Sequence, residues 1–286
     1  AYPPERAADI CGVDADDIRS AARLLAAHRP AALLYAMGIT QHSTGHDNVM
    51  SCANLQMLLG NMGVPGGGVN PLRGQANVQG ACDMGGLPDF YPGYQRVNVE
   101  ANRLKFENAW GVNLPPDVGL TVVEIMNGVE SGKIRSLYIV GENSLLSEPD
   151  ANHVRRCLEK IDFLVVQDVF VTETAQLADV VLPAAVSAEK DGTFTNSERR
   201  VQRVRPAVQP PGEARQDWII VGEIAQRMGY AGLSYQNPQE IFTEMASLTP
   251  SYSGLSWERV EQRGIQWPCP SADHPGTPIL HVGKFS

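Results

Sequence analysis

A C-x-x-C pair is missing from this sequence, although it holds five cysteines: Cys11, Cys52, Cys82, Cys157 and Cys269. An odd, scattered set argues against a disulfide framework and fits a reducing compartment. It also argues against a structural zinc or an iron–sulfur cluster carried by these residues alone. No G-x-G-x-x-G follows a strand. PGGGV (65–69) has three consecutive glycines but follows a helical pattern, so a nicotinamide cofactor is disfavoured. There is no Walker A motif, no G-x-S-x-G elbow and no cysteine with a sequence-visible histidine partner. No apolar run approaches the length of a membrane span. No signal peptide and no initiator Met precede AYPPERAADICGVDADD, which reads as a fragment or a processed product. Positive charge is short as well. The formal charge of -9 excludes a nucleic-acid footprint but leaves room for an anionic ligand held by local arginines.

What is present suits a globular chain. Its 286 residues are 43% hydrophobic and 19% charged, enough for one large domain or two ordinary ones. Asp14 is placed to cap a helix whose Ile18, Ala21, Ala22 and Leu25 share a face, ended by Pro30. AALLYAMGI (31–39) reads as a buried strand closed by Gly38. NVMSCANLQMLLG, capped by Asp47 or Asn48, reads as a helix apolar most of the way round and therefore buried. His42 and His46 have i, i+4 spacing, but Gly45 lies between them with no carboxylate pair nearby. Solvated or hydrogen-bonded histidines are expected there rather than metal ligands.

Residues 61–94 form a long Gly/Pro/Asn-rich stretch that Leu87, Phe90, Tyr91 and Tyr94 should keep ordered. Short helices are expected over 102–112 and 122–131. SLYIVGEN (136–143), a helix over 150–160, FLVVQDVF (163–170), a short helix over 173–178 and ADVVLPAA (178–185) then alternate. That alternation predicts an α/β fold, a parallel sheet with covering helices, with a ligand beyond the C-terminal strand ends. Asn143, Gln167 and Asp168 fall at those ends. EKDGTFTNSERRVQRVRP (189–206) reads as a hairpin turning at Gly192, and QDWIIVGEIAQRMGY (216–230) as an amphipathic helix capped near Asp217. The remainder, 231–286, is expected to be short and irregular, anchored by Trp257 and Trp267.

The stretch GVNPLRGQANVQGACDMG (68–85) sets one arginine among glycines and amides. Glycines allow close backbone approach, amides recognise heterocycle edges, and a planar guanidinium suits a carboxylate or phosphate. Two readings stand side by side: Arg73 grips an anionic ligand, or it staples the loop by pairing with an acid such as Asp83.

YAMGITQH (35–42), NPLRGQANVQGACDMG (70–85), LPDFYPGYQ (87–95), VVQDVFVTETAQLADVVLPA (165–184), EKDGTFTNSERRVQ (189–202) and DWIIVGEIAQRMGY (217–230) together resemble catalytic subunits of molybdenum- or tungsten-dependent formate dehydrogenases. These belong to the bis-molybdopterin guanine dinucleotide oxidoreductases. The resemblance implies that the parent protein oxidises formate to carbon dioxide, or the reverse. Electrons would leave through iron–sulfur clusters to partner electron-transfer subunits. It implies that Arg73 steadies the formate carboxylate beside the metal. It implies pterin contacts at Met37, Gly38, Gln41 and Gln75. Guanosine and phosphate contacts would fall on Gly141, Asn143, Ser147, Gln167, Asp168, Thr172 and Ala184, with Asp217 accepting from the guanine amino edge.

Plainer roles are open for several of these. Asp168 and Asp217 could cap helices, Glu189 could form a structural salt bridge with Arg199 or Arg200, and Cys82 reads as a buried small hydrophobe. Members of the family are longer. Their four-iron cluster motif, their cysteine or selenocysteine metal ligand and their C-terminal closing domain match nothing in these residues. The expected organisation is therefore the end of one molybdopterin-binding domain (1–75), half of a second (76–187) and a segment returning to the cluster domain (188–286), a piece inactive alone. Alternatives are a nitrate reductase-like relative and a non-catalytic scaffold or electron-transfer subunit. A cytoplasmic location is expected, with the periplasm as the alternative.

Overall fold

The computed structural model describes residues 2–284. Helices α1 (Pro4–Cys11) and α2 (Ala15–Ala27) come first; Pro4 opens α1, and the Asp14 carboxylate accepts from the Asp16 amide to cap α2. Strand β1 (Leu33–Tyr35), one-turn α3 (Met37–Thr40), α4 (Gly45–Leu58) and β2 (Val69–Pro71) follow. β1 and β2 pair in parallel, Leu33 with Val69 through Tyr35 with Pro71. The Gly-rich segment between α4 and β2 is held by amides. Gln56 Nε2 donates to the carbonyls of Ala31 and Gly68, both at 2.8 Å, and Asn61 Nδ2 donates to Gln56 Oε1 at 2.7 Å.

Next come α5 (Val78–Asp83), β3 (Phe90–Tyr91), β4 (Gln95–Arg96) and α6 (Glu100–Trp110). The aromatics order this stretch as expected, with Tyr91 stacked on Phe106 at 4.7 Å between ring centres. Then α7 (Val122–Glu130), β5 (Ser136–Val140), α8 (Ser144–Ser147), α9 (Ala151–Lys160), β6 (Phe163–Asp168) and β7 (Val180–Pro183) build the expected parallel sheet, in order β5-β6-β7. Thr121 and Glu124 form a capping box on α7. Leu164 and Val166 on β6 are fully buried against Met126 and Val129 of α7 and Val154, Cys157 and Leu158 of α9. Each such side chain contributes about 1.5–3 kcal/mol by burial. The opposite sheet face is apolar but open, with Tyr138, Val140, Phe163 and Val180 all more than a third exposed.

The chain ends with the hairpin β8 (Gly192–Thr195) and β9 (Arg200–Val204), helices α10 (Asp217–Arg227), α11 (Pro238–Leu248) and α12 (Trp257–Gln262), and β10 (Ile265–Gln266) against β9. Phe242, Tyr252, Leu255, Val260 and Ile265 form a second core.

Several expectations are corrected. The strand expected over 31–39 is only Leu33–Tyr35, because the chain turns into α3 at Met37. α4 is not buried. Only Gly45 and Gln56 are enclosed and Leu58 is 83% exposed, because among the described residues only short β1–β2 and its flanks pack on it. Gly192 does not turn the hairpin; it pairs with Val204, and the turn is Asn196–Arg199, with Arg199 at φ +65. The tail is not irregular, since Asn237 caps α11 through the Glu240 amide. Among the described residues Glu189 forms no salt bridge; its carboxylate accepts from the Val186 amide at 2.9 Å. Arg200 pairs instead with Glu198 at 2.8 Å. Cys82 is half-buried rather than enclosed.

Candidate active site and cofactor face

Arg73 follows β2 directly, and the Leu72 amide donates to the Tyr35 carbonyl at 2.8 Å, extending the β1–β2 pairing by one step. Arg73 and Gln75 therefore leave the same sheet end as Met37, Gly38 and Gln41, which lie on or just after α3. The Arg73 side chain enters a cleft walled by the glycine-rich loop 62–71, by Ser197–Arg199, and by Trp267 and 278–281. The Arg73 amide donates to Ser197 Oγ at 3.1 Å, which ties this edge to the β8–β9 turn.

Arg73 and Asp83 form no ion pair. Arg73 Nε donates to Gln79 Oε1 at 3.0 Å, and Gln79 Nε2 donates to Asp83 Oδ1 at 2.8 Å, so an amide stands between cation and anion. Among the described residues nothing accepts from Nη1 or Nη2 of Arg73. Asp83 is 1% exposed and takes four donors. Gln79 and Tyr94 Oη (2.9 Å) reach Oδ1; Tyr252 Oη and Trp267 Nε1, each at 2.7 Å, reach Oδ2. Burial, reinforced by the Asp83 charge, pushes the Tyr94 and Tyr252 hydroxyls up, so both remain protonated donors. Arg199 lies over the Trp267 ring at 5.4 Å and donates to the carbonyls of Trp267, Thr277 and Pro278; burial lowers its pKa. Tyr94, Arg199 and His281, all on this cleft, are three of the four non-glycine residues with positive φ among the described residues. Such strain collects at functional sites.

The second group lies beyond β5, β6 and β7. Gly141 (φ +65) follows β5, and no heavy atom stands within 4 Å of where its Cβ would be. A ligand can therefore approach this backbone closely. Asn143 Nδ2 donates to Glu173 at 2.7 Å, while its Oδ1 accepts from the Thr174 hydroxyl at 2.8 Å. Ser147 donates to Glu142, and the Thr172 hydroxyl accepts from the Ala175 amide at 3.2 Å. Asp168 accepts from the Val169 amide and closes a local turn rather than capping a helix. Ala184 is buried, and its amide donates to the Asp168 carbonyl at 3.0 Å.

Gln167 is fully buried between the Tyr138 hydroxyl, which donates to its Oε1, and Asp217 Oδ1, which accepts from its Nε2 at 2.7 Å. Asp217 opens α10 without capping it; its other oxygen pairs with Lys190. With Lys190, Gln216 and Trp218 it lines a cavity of about 340 Å³. Sequence reasoning missed Lys190, Gln79 and Tyr94. The i, i+4 spacing of Gln79 and Asp83 was a usable signal; Tyr252 and Trp267, 169 and 184 residues from Asp83, gave none. Among the described residues no group of three His, Cys, Asp or Glu is placed to hold a metal, and His42 Nε2 is bonded to the Gly38 carbonyl at 2.9 Å. No helix among them is long and apolar enough to cross a membrane.

Two parallel sheets with polar residues and glycines at their C-terminal ends define a class of α/β protein that takes a ligand beyond those strand ends. The family model of molybdopterin oxidoreductases matches residues 17–227. The chain is 52% identical over 286 residues to the F420-dependent formate dehydrogenase subunit alpha of Methanocaldococcus jannaschii, covering 99% of this chain and 42% of that protein. It is 46% identical over 288 residues to formate dehydrogenase H of Escherichia coli, covering 99% of this chain and 40% of that protein. Among solved structures, acetylene hydratase from Pelobacter acetylenicus superposes with a TM-score of 0.65 at 22% identity, over 92% of this chain and 38% of that one. The chain belongs to the molybdopterin oxidoreductase family, and spans about two fifths of the length of these relatives. Membership implies a molybdopterin cofactor. The residues suit one: Gly141 leaves its backbone open at the end of β5, and Asp217, already bonded to Gln167 and Lys190, stands at a cavity wall.

Proposed function

We propose that the chain is the central part of a formate dehydrogenase catalytic subunit that takes bis-molybdopterin guanine dinucleotide, with molybdenum or tungsten. The observation that carries this reading is the open fork of Arg73. Its Nε is held, Nη1 and Nη2 have no acceptor among the described residues, and the residue lines a walled cleft. Two parallel N–H donors match a small carboxylate. Met37, Gly38, Gln41 and Gln75 would contact one pterin arm. Gly141, Asn143, Ser147, Gln167, Asp168, Thr172, Ala184 and Asp217 would hold a guanosine diphosphate arm. When bound, the cofactor supplies the two-electron redox chemistry, and this chain positions the anion and the nucleotide. On this reading 1–75 ends one cofactor domain, 76–187 is half of another, and 188–286 returns toward the iron–sulfur cluster domain. Electrons would pass to iron–sulfur partner subunits. The unpaired cysteines favour the cytoplasm.

Arg73→Lys in the full subunit keeps the charge but loses the fork. Formate-dependent dye reduction is expected to fall about 100-fold in kcat/KM, a loss of roughly 2.7 kcal/mol, while pterin content stays at the wild-type level. Undiminished turnover would sink the assignment.

A further inference from the structure

Arginine in a binding cleft needs a partner that fixes its plane without cancelling its charge. The arrangement beneath Arg73 meets both needs through one amide. The Asp83 carboxylate accepts only, and all four of its hydrogen bonds come from donors. Gln79 must therefore turn Nε2 toward Asp83, which leaves Oε1 as the atom presented to Arg73. Tyr94 Oη lies 3.1 Å from the same Nε2 and closes the small ring that locks this orientation. Both Gln79 and Asp83 are buried on one face of α5, four residues apart, so the helix sets their spacing. Arg73 itself sits on the exposed side of this stack.

We propose that Gln79 is a positioning residue for the anionic substrate: oriented by Asp83, it holds Arg73 by Nε, aims Nη1 and Nη2 into the cleft and leaves the guanidinium charge free. This rests on the formate reading above. A glutamate in its place would pair with the guanidinium and compete with the substrate. A direct Arg73–Asp83 pair would have the same effect. The intervening neutral amide passes on the orientation set by a buried anion without passing on its charge. The cost of burying Asp83 is met by four donors drawn from three parts of the chain, including Tyr252 and Trp267 of the C-terminal region.

The test uses the full-length catalytic subunit with Gln79→Met, which keeps the volume and removes the acceptor. Formate KM is expected to rise at least tenfold, with kcat within about threefold and pterin content unchanged. A crystal structure should show Arg73 Nε displaced from its wild-type position. On an Arg73→Lys background the same change should add little, because both act through one group. Gln79→Asn keeps an amide donor on the Asp83 side but is one methylene too short to bridge to Arg73; it serves if Gln79→Met does not fold, and should raise KM as far. A KM within twofold of wild type overturns the proposal. So does an unmoved Arg73, whatever the kinetics. If the wild-type subunit itself fails to oxidise formate, the formate reading falls, and the position of Arg73 in the Gln79→Met crystal alone decides whether Gln79 holds it.

Discussion

The sheet unit (121–185) and the N-terminal region (2–71) begin from similar sequence patterns and end in different states. Both alternate helices with short parallel strands. In the sheet unit, α7 and α9 bury a continuous core on β6. In the N-terminal region, α1 and α2 bury no residue, and Leu24, Leu25, Met50, Met57 and Leu58 all stay more than a third exposed. An amphipathic face states that something covers it, not what. In the sheet unit the cover is local, within one strand–helix–strand span. In the N-terminal region the β1–β2 pair is too narrow to cover the helices beside it. The exposed face of β5–β6–β7 follows the same rule, since a parallel sheet ordinarily has both faces covered.

The largest test of this contrast is native-state hydrogen exchange on the chain. Amides of α7 and α9 are expected to be protected at least ~1,000-fold more than those of α1 and α2, because local opening follows buried apolar contact. Equal protection would mean that the N-terminal helices have found a cover, and the comparison would collapse. Next in size is a pair of truncations. Leu164→Ala removes a fully buried side chain and should cost about 2–5 kcal/mol by urea denaturation, while Leu25→Ala on exposed α2 should stay within about 0.5 kcal/mol.

The smallest effect concerns the contact that joins α1 to α2. The Arg19 guanidinium hydrogen-bonds Glu5 and holds its carboxyl below the ordinary value of 4.5. A depressed folded pKa gives stability that is present above 4.5 and lost as pH falls through the lower folded value. Protection in α1 should therefore drop on acidification below that value, and on adding salt at neutral pH, while α9 changes less. An α1 indifferent to both would leave Arg19–Glu5 without a structural role.

The same contrast explains what was legible beforehand. α7 and α9 were anticipated to within a residue, and β5, β6 and β7 to within about three, because their signals are local: a 3.6 or 2 period, an N-cap, a glycine at the turn. α11 and α12 were not anticipated, although Asn237-Pro238 is a start signal. α4 was expected to be buried because its composition is apolar, and composition carries no information on neighbours. Arg73 could be singled out from its glycine- and amide-rich surroundings, but not the choice between a free fork and a pair with Asp83.

By itself, then, the sequence determined the α/β alternation, the parallel sheet and the gathering of polar residues at strand ends, since hydrophobic period and turn chemistry act over a few residues. Tertiary structure alone decided the fate of each charge. Tyr252 and Trp267 reach Asp83 from far along the chain and satisfy one oxygen, the other takes the Gln79 amide, and Gln79 Oε1 is thereby presented to Arg73 Nε. A hydrogen bond depends on distance and direction in space, and those are fixed only when the distant segments have packed.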